Sequence, residues 1–518
     1  MAAAPPSRVR LAELLAALSL ATDLGMGQPM EQALRTCLLS VAAGQTLGLD
    51  VQTLSEAYYL GLLRFIGCTA DAHEQALLVG GDEIAHRAGL APVVMGGVPD
   101  VLGYLARHLA ADRPPLTRLR LLVGMFAAGS RDAKRSIAVH CEVAQMLATR
   151  FGLRASIAVG VGQLFEHWDG KGVPGQLRGA AIPLPVRIVA VARDVDVFHQ
   201  LGGWDLASTT LQRRRGKAYD PAVVDAFLSD GEHWTAAAGA SSAWEAVLAA
   251  EPGEPLLVGD VRLDGVLHAL ADFTDLKSPY TLGHSSAVAD LAGIAAPLAR
   301  LDELDTRTVQ RAGLVHDLGR TGIPNGIWDK PGPLSAAEWE RVRLHPYLSE
   351  RILSYVPALR PLAVLAGAHH ERQDGSGYHR GSSGQAFPMG ARILAAADAY
   401  QAMTQPRPHR PALTADAAAA ALRQEAASGR LDPGAVRAVL EAAGHRAATT
   451  RAAYPAGLTD REVEVLQRIS RGLSNRLVAA ELGIAPKTVA RHIENLYAKL
   501  GVSSRPAAAL FAMQHDLL

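Results

Sequence analysis

The chain has 518 residues, room for three or four domains at roughly 100–200 residues each, and its 51 basic side chains balance 51 acidic ones. Zero formal net charge excludes bulk attraction to nucleic acid or to an anionic membrane, so any such binding must be local. An apolar share of 49% with only 5% aromatics calls for cores of Ala, Leu and Val, and the prevailing Ala-Leu-Arg-Glu periodicity predicts an all-α protein.

The chain opens on Arg8, Arg10 and the apolar run 14–21, a faint imitation of a secretion signal. Glu13 interrupts it, no convincing cleavage site follows, and the same segment recurs later, so targeting is rejected. No stretch of 18 apolar residues exists, so no membrane span is expected. Cys37, Cys68 and Cys141 have neither metal-ligand spacing nor a disulfide framework. They read as buried apolar residues of a cytoplasmic protein.

Residues 11–32 (LAELLAALSLATDLGMGQPMEQ) align without gaps to 263–284 (LDGVLHALADFTDLKSPYTLGH), an offset of 252. That offset places 62–67 (LLRFIG) on 314–319 (LVHDLG). Further on the offset is 205, with EHWDGKGVP (166–174) on ERQDGSGYH (371–379) and IPLPVRIVAVARD (182–194) on FPMGARILAAADA (387–399). The chain is therefore a tandem repeat, with 47 extra residues in the first copy between Gly67 and His140. The expected domains are 8–250, 256–444 and 457–518. EPGEP (251–255) and HRAATTRAAYPAG (445–457) serve as linkers.

The second copy carries His284, His316–Asp317, His345, His369–His370 and Asp398, clusters separated by 32, 29, 24 and 28 residues. A helix hairpin returns to the same level after about 28 residues, so this spacing can bring each cluster to one cavity. Five imidazoles and two carboxylates suit a pair of divalent metals without thiolate. In the first copy the same positions are Gln32, Arg64–Phe65, His140, Leu164–Phe165 and Arg193. One imidazole cannot hold a metal pair and two arginines repel one, so that copy is expected to be metal-free and catalytically dead. Arg64 and Arg193 need anions. Either they are neutralised internally by Glu166, Asp194 or Asp196, or they form a pocket for an anion or nucleotide.

The strings HSSAVADLA (284–292), GLVHDLGRTGIPNGIWDKPGPL (313–334), RLHPYLSERIL (343–353), AHHERQDGSGYH (368–379) and ARILAAADAYQAMT (391–404) resemble the HD-GYP phosphohydrolases of the HD superfamily, best known for hydrolysing cyclic di-GMP. The resemblance implies one metal on His284, His316, Asp317 and Asp398 and a second on His345, His369 and His370, bridged by Asp317. It also implies iron or manganese, catalytic roles for Asp317 and Arg320, and a cyclic dinucleotide or related phosphoester as ligand. Such a metal pair lowers the pKa of a water and stabilises charge on the attacked phosphoryl group. The chain departs from the family pattern at Arg320, where a lysine is usual, at Gly377-Tyr378-His379 in place of Gly-Tyr-Pro, and at Ala287 and Tyr280.

Residues 458–505 (LTDREVEVLQRISRGLSNRLVAAELGIAPKTVARHIENLYAKLGVSSR) resemble the LuxR-type helix-turn-helix. Thr459 and Glu462 predict a capping box, 475–482 a scaffold helix, Gly483 the turn, and 486–500 the recognition helix. Val489, Ile493, Leu496 and Leu500 recur at helical spacing toward the core. The resemblance then implies Lys487, Thr488 and Arg491 near base edges, and Asn475, Arg476 and Lys499 near phosphate. Eight basic against six acidic residues in 458–518 make one domain only mildly cationic, so a homodimer on paired half-sites is expected. The resulting reading is a DNA-binding regulator that hydrolyses or senses a cyclic dinucleotide. Its alternative is a regulator whose repeats only bind ligand and dimerise.

Overall fold

The computed structural model describes residues 8–96, 103–104, 116, 137–240, 242–383, 386–444, 454–515 and 517–518. It divides into two compact units, Met1–Leu263 and Asp264–Leu518. Helices dominate both. Among the described residues the one sheet is a two-stranded antiparallel ribbon pairing Val9 with Val258 and Arg10 with Leu257. Period-2 patterning cannot announce strands of two residues, and the sequence reading missed them.

In the first unit, helix Leu11–Gly25 is buried along almost its whole circumference, as its continuous Leu-Ala composition requires. Around it run Gln32–Thr46, Val51–Leu63, the short Ala72–Val79 and Glu83–Leu90, and the long Leu184–Arg214, followed by Pro221–Ala240. Leu39, Ile188, Val191, Val195, Tyr219 and Phe227 fill one core. The extra segment of this copy carries the two helices Ala72–Val79 and Glu83–Leu90, and most of the rest of it lies outside the described residues. EPGEP is not a free linker. Glu251 accepts from Arg10 Nη2 at 2.6 Å and from the Tyr59 hydroxyl at 2.7 Å, and Leu256 accepts from the Leu11 amide at 2.7 Å. The ribbon continues this attachment.

The second unit repeats the pattern with His284–Leu298, Glu303–Val315, His345–Ser354, Arg360–Ala368 and Met389–Thr404, then Ala415–Ala427 and Pro433–Gly444. Gly313 faces the backbone of Ala289 so closely that a Cβ would not fit, and Gly61 stands in the same relation to Cys37 in the first unit. Both pairs obey the offset of 252, so the tight helix crossing is common to the two copies.

Within the second unit, Asp460–Ser470, Asn475–Leu482, Pro486–Leu500 and Arg505–Gln514 enclose a separate core of Val465, Leu466, Val478, Val489, Leu496 and Leu510-flanking Ala508 and Ala512. The Thr459–Glu462 capping box is present, Gly483 turns the chain at φ 64°, and Pro486 starts its helix without a capping side chain. Among the described residues no helix is long and apolar enough to cross a membrane. All three cysteines are buried, and none forms a disulfide.

Candidate metal centre

Helix ends deliver the ligands. His284 and His345 are the first residues of their helices, His316 and His369 follow directly on the last helical residue, and Asp398 sits inside Met389–Thr404. Three imidazoles are held in one way. Nδ1 of His316 donates to the Gly313 carbonyl at 2.8 Å, that of His345 to Val342 at 2.6 Å, and that of His369 to Ala366 at 2.5 Å. A carbonyl only accepts, so each Nδ1 carries a proton, and in the neutral ring each Nε2 presents a lone pair. His284 is oriented from elsewhere, with Nδ1 2.9 Å from Gln405 Oε1.

The lone pairs converge. His345, His369 and His370 form one group, His284, His316 and Asp398 another, and His316, Asp317 and His369 a third, with the ligand atoms of each group within 4.8 Å of one another. Asp317 lies between the first two. Its Oδ1 is 3.4 Å from His345 Nε2 and 3.6 Å from His369 Nε2, and its Oδ2 is 3.6 Å from His316 Nε2 and 4.0 Å from His284 Nε2. Asp398 Oδ1 meets His284 Nε2 at 3.1 Å, and its Oδ2 is 3.8 Å from His370 Nδ1.

This donor set fits divalent metal on its own chemistry. Nε2 of His316 is buried without a hydrogen-bond partner. Nε2 of His345 and His369 face each other at 3.2 Å, both as lone pairs, an arrangement that a shared cation relieves. Burial lowers the His316 imidazole to about 4 and the His345 imidazole to about 3, so both are neutral at physiological pH, as ligation requires. Burial works against charge on Asp317, but the Arg320 guanidinium beside it holds its carboxyl well below the usual range.

Arg320 Nη1 donates to Asp317 Oδ2 at 3.0 Å, and its guanidinium lies 3.8 Å above the Trp328 ring centroid. Stacking of this kind exploits the planar head group that distinguishes this chain's arginine from a lysine. The Tyr378 ring packs on His370 at 4.7 Å, and His379 sits 3.4 Å from Glu350 and 5.7 Å from the Tyr347 ring. Two site residues went unread in the sequence. Gln405 orients His284, and the half-buried Arg407, whose guanidinium desolvation and Arg320 lower to about 10, feels Asp398 and Asp317 and donates to the Tyr280 carbonyl at 3.0 Å. Both lie within three residues of the last ligand-bearing motif, and that proximity was their only signal.

In the terminal segment Lys487, Thr488, Arg491 and Arg476 are exposed. Among the described residues Arg476, Lys487 and Arg491 make no ion pair. Asn475 is half-buried and accepts from Arg505 at 2.7 Å. Lys499 differs from the others. Its Nζ is 2.7 Å from Glu462 and 3.0 Å from the Gly457 carbonyl, locking the recognition helix to the capping box.

A helical repeat carrying paired imidazole–carboxylate clusters is thus followed by a four-helix terminal domain. The chain belongs to the HD domain family, whose model matches residues 130–223 and 268–435, and the model for bacterial regulatory proteins of the luxR family matches 456–512. The 3'3'-cGAMP-specific phosphodiesterase 3 of Vibrio cholerae is 31% identical over 417 residues, covering 80% of this chain and 90% of that protein. The crystal structure of a cyclic GMP-AMP specific phosphodiesterase from V. cholerae superposes with a TM-score of 0.59 at 27% identity, covering 85% of this chain and 99% of that one. The cyclic di-GMP phosphodiesterase response regulator RpfG of Xanthomonas campestris is 37% identical over 177 residues, 34% of this chain and 46% of RpfG.

Proposed function

We propose that the chain is a metal-dependent cyclic dinucleotide phosphodiesterase coupled to a DNA-binding domain, acting as a transcription regulator. The carrying observation is the ring of imidazole nitrogens around Asp317 and Asp398. His284, His316, Asp317 and Asp398 would hold one divalent ion and His345, His369 and His370 a second, with Asp317 shared. Metal in that donor set supplies Lewis acidity toward a phosphoryl group and acidifies water. The chain's own residues do the rest. Arg320, braced on Trp328, fixes the Asp317 carboxylate, and Arg320 with Arg407 offers positive charge to a phosphodiester.

A 3'3'-linked cyclic GMP-AMP is the preferred substrate on two grounds. The similarity to the V. cholerae enzyme runs through 80% of the chain, and His379 replaces the proline of the loop associated with cyclic di-GMP. On the DNA side, Lys487, Thr488 and Arg491 are proposed to meet base edges, and Asn475 and Arg476 phosphates. Lys499 is tied to Glu462 and serves phosphate only if that pair opens. Two chains on paired half-sites would compensate for the modest charge of one domain.

The test is incubation of Mn2+-loaded full-length protein with 3'3'-cGAMP and, separately, cyclic di-GMP, with products resolved by chromatography. Ring opening of 3'3'-cGAMP, lost in Asp317→Ala, is expected. Turnover that survives Asp317→Ala contradicts the assignment, and tight binding without turnover identifies a ligand-sensing module instead.

A further inference from the structure

Among the described residues of the first unit, two buried arginines keep guanidinium nitrogens without a hydrogen-bond partner. Arg64 and Arg193 stand at the positions of His316 and Asp398 and are only 4% and 1% exposed. Both guanidinium carbons lie over the Phe65 ring, at 5.6 and 5.7 Å from its centroid, so they share one small region. Arg193 Nη1 is satisfied by Asp194 and the Ala91 carbonyl, each at 2.6 Å. The other Asp194 oxygen is taken by Arg214 and the Tyr219 hydroxyl. Glu166 is spent on the amides of Gly175, Gln176 and Leu177, and Asp196 on Arg35. Among the described residues Arg193 and Arg214 thus share one carboxylate, and Arg64 pairs with none.

Arg64 has one partner, the Leu164 carbonyl at 3.1 Å from Nη1, while its Nε and Nη2 are buried with none. Nε and Nη2 form the edge by which arginine grips an oxyanion in two places. Two other arginines of this unit fill that edge, whereas Arg187, paired through Nη1 to Asp220, leaves its Nε buried without a partner. Arg35 uses it on Asp196 at 2.7 and 3.3 Å, and Arg215 on Asp225 at 2.8 and 2.7 Å. Nε of Arg193 is likewise buried and unpartnered. Leaving three charged donors unmet costs far more than leaving neutral ones, so a ligand that meets them is strongly favoured. Consistent with this, burial and the neighbouring Arg193 lower the Arg64 guanidinium to about 9.

We infer that the first unit holds a phosphoryl oxyanion, free phosphate or the phosphodiester of a nucleotide, gripped through the Nε–Nη2 edge of Arg64 and supported by Arg193 Nε. Where the second copy places lone pairs and carboxylates suited to cations, this copy places guanidinium donors suited to an anion.

The experiment uses full-length protein stripped with chelator, so that the second unit offers no metal to phosphate. Melting is followed at fixed ionic strength with chloride, inorganic phosphate or 3'3'-cGAMP, and binding by phosphorus NMR line width. A saturable rise in midpoint is expected with phosphate or with the dinucleotide, on the order of 5 °C at a large excess over Kd. Response to phosphate marks a free ion, and response to the dinucleotide alone marks a nucleotide. Arg64→Met should abolish the rise, and Arg64→Lys should weaken it at least ~10-fold in affinity because an ammonium cannot fork. Arg193→Met serves if the first variant fails to fold. No response to either anion, or an equal response in wild type and variants, overturns the inference.

Discussion

The two repeats keep the same scaffold and differ at the points where chemistry would occur. Asp23 accepts from the Ala33 amide, and Asp275 from Ser285, its counterpart 252 residues on. Glu166 clamps the amides of residues 175–177, and Glu371 those of Arg380 and Ser382, at the offset of 205. Gly67 and Gly319 are both pressed on the backbone of a histidine, His140 and His345. The ligand positions, by contrast, have changed sign. Where the second repeat collects imidazole nitrogens and carboxylates, the first presents Gln32, Arg64, Phe65 and Arg193. His140, the one imidazole retained, is hydrogen-bonded to Asp71 instead. Capping, clamping and close-approach residues serve folding and are retained by both copies, so a persistent fold says nothing about a persistent site.

This contrast can be broken or sharpened by substitution. The largest effect should come from Asp317→Ala, which removes the carboxylate shared by both clusters. Hydrolysis should fall by on the order of 10^3-fold or more, beyond the roughly 10–100-fold typical of a residue that only supports a ligand, as initial rates at saturating Mn2+ would register. Gln405→Ala is such a supporting change. It frees the His284 ring, and metal affinity should drop by about 10–100-fold in a competition titration while the fold melts unchanged.

Glu371→Ala strands the amides of Arg380 and Ser382. A loss of about 1–3 kcal/mol in urea unfolding is expected, together with reduced turnover, because the loop carries Tyr378 against His370. Glu166→Ala should cost similar stability and leave turnover untouched. Equal effects on turnover would mean that the first repeat contributes to catalysis.

The smallest effect concerns backbone. Glu31 sits at φ 76°, where the second repeat has Gly283 at φ 71°. Glu31→Gly should stabilise the first unit by about 0.5–1 kcal/mol, the left-handed strain exceeding the extra entropy of glycine. A lower melting midpoint in the variant would show that Glu31 has a role beyond that strain.

The sequence was most readable where many spaced residues had to agree. The histidine and aspartate clusters, spread over more than a hundred residues, meet within a few ångströms, and the terminal helices begin and end at the residues their caps and turn glycine announce. Single residues without a partner pattern were opaque. Gln405 and Arg407 act through tertiary contacts after the last motif, and Lys499 looked free because its partner Glu462 lies 37 positions away in a capping box. Internal neutralisation of the first repeat's arginines was half legible. Asp194 serves Arg193, but neither Glu166 nor Asp196 hydrogen-bonds Arg64, since loop amides and Arg35 occupy them.

Calorimetric titration of chelator-stripped protein with Mn2+ tests the central contrast most directly. Two ions per chain are expected for wild type, the same two for Arg64→Met, and loss of both tight sites for Asp317→Ala. Full Mn2+ binding by Asp317→Ala, or a stoichiometry that changes with Arg64 alone, would contradict a metal centre confined to the second repeat.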